Sequence, residues 1–301
     1  MRLAISAITE ELRRLKAGGQ GSVSVSEEGL AALRKSLGGS PGAPAAPAPG
    51  REAPATPRAA PPEEAVVPAA RPVAAQPMPA PPVVTLPQGD KAARWAALNA
   101  LVQGDPVCQA RVRPGKKLVT GVGSLDAAIM FVGEAPGAEE EVQGEPFVGP
   151  AGQLLTKMIS GMALSRSDVF IGNIMNWRPE MPAGPDGVQV GNRPPNESEM
   201  AYCLPYLLAQ IEIVAPQILV ALGTSAAKGL LGYRAFGALG DVRGKWHDYA
   251  GRPLMVTYHP SYILRNPTNR TKRLIWEDLL KVMERAKLPV SDKQRAFFLS
   301  T

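Results

Sequence analysis

The sequence predicts an α/β fold in which a parallel sheet of four strands is covered by helices on both faces. Two observations carry that prediction. First, four short and mainly apolar runs, AAIMFV (127–132), DVFIGN (168–173), PQILVAL (216–222) and PLMVTY (253–258), are separated mostly by segments with helical spacing. Runs of that kind read as strands buried on both faces, the environment of a parallel sheet. Second, each run ends on a glycine or a polar residue: Gly133-Glu134, Asn173, Gly223 and His259. Parallel sheets collect their ligand sites beyond the carboxyl ends of the strands, so four separate segments are expected to converge on one edge.

The elements follow in chain order. Leu3, Ile5, Ile8, Leu12 and Leu15 lie at helical spacing up to Gly18-Gly19, and a second helix starts at Ser24 with Glu27 as its capping box and Leu30, Leu33 and Leu37 on one face. Two such short helices bury no core of their own; residues 1–38 read either as a docking element for a protein partner or as a frayed tail. Between Pro41 and Pro87 stand 15 Pro and 14 Ala in 47 residues, a composition that packs no core. Residues 39–90 are therefore expected to be a disordered Pro/Ala-rich arm. Helices are predicted over 91–103, 150–163, 197–214, 224–232 and about 271–287, with an irregular Pro/Gly segment after 173, a loop after 259 and a tail over 289–301.

Composition excludes several classes. No run of 18 apolar residues is present, so no membrane-spanning helix is expected, and Glu10 and Glu11 interrupt the apolar pattern that a secretory signal would need. Cys108 and Cys203 are the only cysteines and His247 and His259 the only histidines; none has the spacing of a zinc site, and a reducing cytoplasm is the expected compartment. The net charge of +6 divides into +2 for residues 1–89 and +4 for 90–301, which permits a polyanionic partner without requiring one.

At the convergent edge, GEAPG (133–137) is a strand-to-helix turn or a cradle of backbone N–H groups; it is neither GxGxxG nor a Walker motif. Glu134 stands directly at a strand end, whereas Glu139, Glu140 and Glu141 are either a solvated helix start or a catalytic set. Phe147 plugs a core edge or offers a stacking face. Asn173 caps a strand or reads the polar edge of a base. His259 is structural or catalytic. In PSYILRNPTNR (260–270), apolar Tyr262, Ile263 and Leu264 beside Arg265 and Arg270 fit a wedge with phosphate contacts, or a buried loop with solvated arginines.

GEAPGAEEEVQGEPFVGPAGQLL (133–155), IGN (171–173), NRPPNESE (192–199) and HPSYILRNP (259–267) together resemble the uracil-DNA glycosylase superfamily, in particular its family 4. The resemblance spans roughly residues 91–288. It implies a three-layer α/β/α sandwich that flips uracil out of DNA and hydrolyses its N-glycosidic bond, leaving an abasic site. Carried over by motif, Phe147 would stack on uracil at Gly133, and Asn173 would read the base's polar edge. His259 would hydrogen-bond the departing base. Glu134, with Glu140 as a second acidic candidate, would position water or stabilise the sugar cation. Leu264, Arg265, Asn266 and Arg270 would contact DNA. Uracil-containing DNA is the expected partner and a monomer the expected state.

Family 4 carries a four-iron four-sulfur cluster on four cysteines. Here Cys203 fits the last ligand position and Cys108 lies in the region of the early pair; Asp105 and Arg111 flank Cys108 at three residues on either side, so there is no CxxC, and Trp177 takes the third position. No cluster and no metal are expected. Nor does the short Val142-Gln143-Gly144-Glu145 segment contain the His of the branch that binds uracil DNA covalently. Two other classes compete: a non-catalytic DNA-damage-binding module on the same fold, and a nucleotide- or phosphate-binding α/β protein unrelated to DNA.

Overall fold

A computed structural model describes residues 78–182 and 189–299. The two predicted head helices, most of the Pro/Ala arm and part of the 180–191 segment lie outside them. The elements are α1 (Lys91–Gly104), α2 (Pro106–Ala110), β1 (Val122–Gly123), β2 (Ile129–Gly133), α3 (Glu140–Gln143), α4 (Pro150–Gly161), β3 (Phe170–Asn173), α5 (Glu197–Val214), β4 (Ile218–Leu222), α6 (Thr224–Leu231), α7 (Leu239–Val242), β5 (Trp246–Tyr249), β6 (Arg252–Thr257), α8 (Pro260–Arg265), α9 (Asn269–Arg285) and α10 (Asp292–Arg295).

The sheet has six strands in the order β1-β3-β2-β4-β6-β5. The four predicted strands are its contiguous centre and pair in parallel, β3 with β2, β2 with β4 and β4 with β6. The expectation of four strands is corrected by β1 and β5, which add antiparallel at the two edges. Both escape a hydrophobic reading for physical reasons. β1 is two residues long, and WHDY in β5 is polar and only partly covered, as suits an edge strand.

Successive side chains of the central strands face opposite ways and bury on both sides. Met130, Val132, Phe170, Leu219, Ala221, Leu254 and Val256 pack beneath α1, α5 and α6. Ile129, Phe131, Ile171, Val220, Leu222 and Met255 pack against α4 and α9 through Leu155, Ile159, Ile275 and Leu279. The result is the expected three layers. Helix α5 begins where Asn196 accepts from the Glu199 N–H and Glu199 accepts from the Asn196 N–H, both at 2.9 Å, a reciprocal cap that fixes the loop entering it.

Three local features differ from the sequence reading. The stretch 78–90, read as the end of the arm, has no regular structure, yet Met78, Val84 and Leu86 pack against the core. The segment after the last strand is not a loop: Pro260 opens helix α8 with His259 as its N-cap, because a proline's missing N–H costs nothing in a first turn. The C-terminal tail docks. Trp276 Nε1 donates to the Gln294 carbonyl at 2.6 Å, Gln294 Nε2 donates to the Gly161 carbonyl at 2.8 Å, and Phe297 packs on Trp276.

Candidate active site

The carboxyl ends of the four parallel strands open on a cavity of about 830 Å³ lined by Glu134, Phe147, Asn173, Gly223, His259 and Arg265, among others. Parallel pairing explains the convergence, since it brings all four strand ends to one edge. The Ile174 and Met175 N–H groups donate to the carbonyls of Gly133 and Glu134 (3.0 and 3.1 Å), locking the chain after β3 against the turn after β2.

Gly133 allows two side chains to meet. A Cβ there would lie 2.4 Å from both Asn173 Oδ1 and the Phe147 ring, so only glycine leaves room for the amide beside the aromatic face. Asn173 is buried, and its Oδ1 has no hydrogen-bond partner among the described residues. Phe147 sits at φ +56°, a strained backbone for a bulky residue. Arg166 holds its carbonyl side, and Gly152 leaves the room it needs. The Arg166 guanidinium donates to the Pro146 and Phe147 carbonyls (3.0 and 3.1 Å), and a Cβ on Gly152 would lie 1.8 Å from the Phe147 carbonyl oxygen. The Phe147 ring lies 5.5 Å from the His259 ring at 31°.

His259 is half-buried at the cavity wall. The Ser261 N–H donates to its Nδ1 at 3.2 Å, and the Ser261 hydroxyl lies 2.9 Å from the same atom. An Nδ1 that accepts a hydrogen bond leaves the ring proton on Nε2. Burial, reinforced by the Arg265 cation, lowers the His259 pKa to about 4, so the ring is neutral near pH 7. Burial pushes the Glu134 carboxyl above its ordinary range, against the opposing pull of the Ser225 hydroxyl and Arg265. The Ser225 hydroxyl donates to Glu134 Oε2 at 2.5 Å.

The acidic run is solvated only at its first residue. Glu139 is exposed, but Glu140 and Glu141 are buried. Glu140 lines the cavity with its carboxylate occupied by the N–H groups of Gly137, Val148 and Gly149, each at 3.0 Å. Glu141 pairs with Arg178 at 3.0 Å and with Arg113 at 2.5 Å. Arg265 reaches the cavity from α8. Leu264 is 48% exposed on that helix, Arg270 is exposed, and Asn266 ends the helix, its side-chain amide donating to the Tyr262 carbonyl at 3.3 Å. Sequence reasoning missed Ser225 and Arg166. A serine two residues after the glycine closing β4 was a usable signal for the first; Arg166 sits in an ordinary polar connection and offered none.

Cys108 and Cys203 are both buried and free. The neighbouring Cys203 thiol, together with burial, raises the Cys108 thiol, which favours its protonated form. Asp105, three residues before Cys108, accepts from the Cys108 N–H (2.7 Å) and from the hydroxyls of Tyr202 (2.8 Å) and Tyr206 (2.6 Å). Those hydrogen bonds hold its carboxyl below the usual range despite burial. Trp177 is fully buried, with its ring 6.3 Å from that of Tyr202. The chain supplies two thiols, Cys108 and Cys203, where a four-thiolate cluster takes four, so its donor set does not fit that group.

Comparison with known proteins places this geometry. The sequence profile of the Uracil DNA glycosylase superfamily matches residues 120–280. A type-4 uracil-DNA glycosylase of Thermotoga maritima is 41% identical over 165 residues, covering 54% of this chain and 80% of that protein. One from Pyrobaculum aerophilum is 45% identical, covering 52% of this chain and 77% of the relative. A type-5 uracil-DNA glycosylase of the same organism is more distant, at 31% identity over 54% of this chain and 73% of its own length. The chain belongs to the uracil DNA glycosylase superfamily.

Proposed function

We propose that the chain excises uracil from DNA by hydrolysing the bond between the base and C1′ of its sugar, leaving an abasic site. The observation that carries this reading is the Asn173 amide, buried beside the Phe147 ring with its oxygen unpaired. An unpaired buried acceptor costs about 1–3 kcal/mol, which a ligand's donor returns. Uracil offers a flat ring for Phe147 and an adjacent donor and acceptor, N3–H and O4, for the amide.

In the reaction the C1′–N1 bond breaks with its electron pair going to the base. Negative charge then builds on the uracil oxygens, and the neutral His259, with its proton on Nε2, donates to one of them. A preorganised donor of this kind lowers the barrier by a few kcal/mol. Water supplies hydroxide to C1′, and Glu134, aimed by Ser225, positions that water, takes its proton and stabilises the sugar cation. Glu140 acts by position instead: its three backbone hydrogen bonds tie the 137 turn to the Phe147 loop. Leu264 and Arg265 meet the DNA around the extruded nucleotide, with Arg270 beyond them.

The enzyme works without an iron–sulfur cluster, its place taken by the Asp105–Tyr202–Tyr206 hydrogen bonds and the Trp177 ring. It acts as a monomer, and two free thiols suit the cytoplasm. No described helix is long and apolar enough to cross a membrane. The experiment is a uracil-release assay on single- and double-stranded DNA with free uracil as product. Tight binding of uracil DNA with no release would favour the non-catalytic module.

A further inference from the structure

Beyond the uracil slot the cavity wall carries an aromatic stack. The rings of Tyr258 and Tyr262 lie 4.4 Å apart at 15°, close to parallel. The Arg243 guanidinium lies 5.0 Å from the centre of the Tyr258 ring. Arg243 is itself anchored: its Nη1 donates to Asp278 Oδ2 at 2.7 Å and to the Leu274 carbonyl at 3.1 Å. Asp278 is buried and also accepts from the Thr257 hydroxyl at 2.7 Å, tying α9 to the last residue of β6. The order is therefore a fixed cation, a first ring and a second ring. Tyr262 is half-buried and lines the cavity together with Tyr258. Among the described residues Tyr258 is the one ring stacked on it.

The stack is one helical turn from the uracil slot. The Tyr262 N–H donates to the His259 carbonyl at 2.8 Å, and the His259 ring adjoins Phe147. Tyr262 and Leu264 are two residues apart on α8, about 200° around the helix axis, so they point in different directions. A wedge at Leu264 thus leaves Tyr262 free for another task.

We infer that Tyr262 is a second base-stacking platform, which takes the nucleobase next to uracil on the same strand when that strand is single. The inference rests on the uracil-DNA reading of the cavity. A ring held parallel on a second ring, which a locked cation backs, loses little freedom when a flat partner adds to it. Every nucleobase offers such a face, so the platform adds affinity without reading sequence. In duplex DNA the neighbouring base stays paired and stacked within the helix and is not free to engage. The platform therefore serves single strands, whereas Leu264 serves duplexes.

The test uses the full chain and short single-stranded oligonucleotides bearing 2′-fluoro-2′-deoxyuridine, whose glycosidic bond resists cleavage. Each is made with ordinary bases beside the uracil, with an abasic tetrahydrofuran on its 5′ side, or with one on its 3′ side. Kd is measured for wild type, Tyr262→Phe and Tyr262→Ala. Removal of the neighbouring base on one side should weaken wild type and Tyr262→Phe by about five- to a hundredfold, the usual worth of one base–aromatic stack. Tyr262→Ala should bind the intact oligonucleotide more weakly and lose nothing further on that removal. Wild type insensitive to base removal on both sides would overturn the inference, as would equal losses in wild type and Tyr262→Ala. The wild-type arm needs no variant to fold. A thymine oligonucleotide separates the two readings: equal binding of uracil and thymine strands refutes the uracil slot and leaves the neighbour-base comparison to judge the platform.

Discussion

The Ser225 hydroxyl donates to Glu134 Oε2 at 2.5 Å, joining the second residue of α6 to the turn after β2. The bond fixes one carboxylate oxygen and, in the proposed reaction, leaves the other for water. It also opposes burial, which pushes the Glu134 carboxyl upward. Ser225→Ala removes that opposition, so Glu134 should titrate higher still. The acid limb of the pH–rate profile for uracil release should then move to higher pH, and the rate at neutral pH should fall by about tenfold, one hydrogen bond's worth. Ser225→Thr keeps the hydroxyl and should restore both. An acid limb that does not move would remove Ser225 from the positioning of Glu134.

His259→Ala should slow single-turnover release by about ten- to a thousandfold, the range for losing one charge-stabilising donor, while uracil-DNA binding falls much less. The same residue marks stability. Its pKa is about 4 in the fold against an ordinary 6.5, so its contribution is present above 6.5 and is lost as pH falls toward 4. Wild type should lose more unfolding free energy than His259→Asn across that window, by about 3 kcal/mol at most. Parallel pH profiles for the two proteins would show that His259 titrates normally.

Asp105 anchors the start of α2 to two tyrosines of α5. Asp105→Ala removes a helix cap and leaves two buried tyrosine hydroxyls without their acceptor, a loss of about 3 kcal/mol. Thermal unfolding should register it. The purified wild type should be colourless, with iron well below stoichiometry, and its Tm should be indifferent to chelators. Brown protein with a visible absorption shoulder would contradict this.

The central sheet was legible because its strands are apolar on both faces and each ends on a glycine or a polar residue, so Glu134, Asn173, Gly223 and His259 could be named before any geometry. The edges were not, because β1 is too short and β5 too polar for hydrophobic periodicity to register. Helix α8 hid behind its own proline, read as a loop boundary although a first-turn proline after a polar cap also starts helices. The partners of Glu140 are three backbone N–H groups, which no side-chain pattern can reveal. In the sequence Asp105 stood out, like Arg111, only as a residue that denies Cys108 a CxxC; the two tyrosines one turn apart on α5 show what it does.

On α8, Leu264→Ala should impair release from duplex DNA more than from single strands, because an apolar wedge offsets the few kcal/mol of unstacking that single strands do not require. Arg265→Ala should weaken binding to both and reduce the salt dependence by about one phosphate contact. The comparison to make is the duplex-to-single-strand rate ratio for Leu264→Ala against wild type; equal ratios would reject the wedge.

Uracil excision as proposed depends on the buried amide of Asn173, beside Phe147, holding uracil while its glycosidic bond is cut. Its most direct measurement is free uracil released from a single-stranded uracil oligonucleotide under single-turnover conditions, by wild type and by Asn173→Leu, which keeps the volume and removes the amide. Wild type should convert the oligonucleotide to an abasic strand with one uracil per site, and Asn173→Leu should be slower by about a hundredfold, the cost of an unmet polar edge. Wild type that binds the strand and releases no uracil, or Asn173→Leu that matches it in rate, would contradict the account.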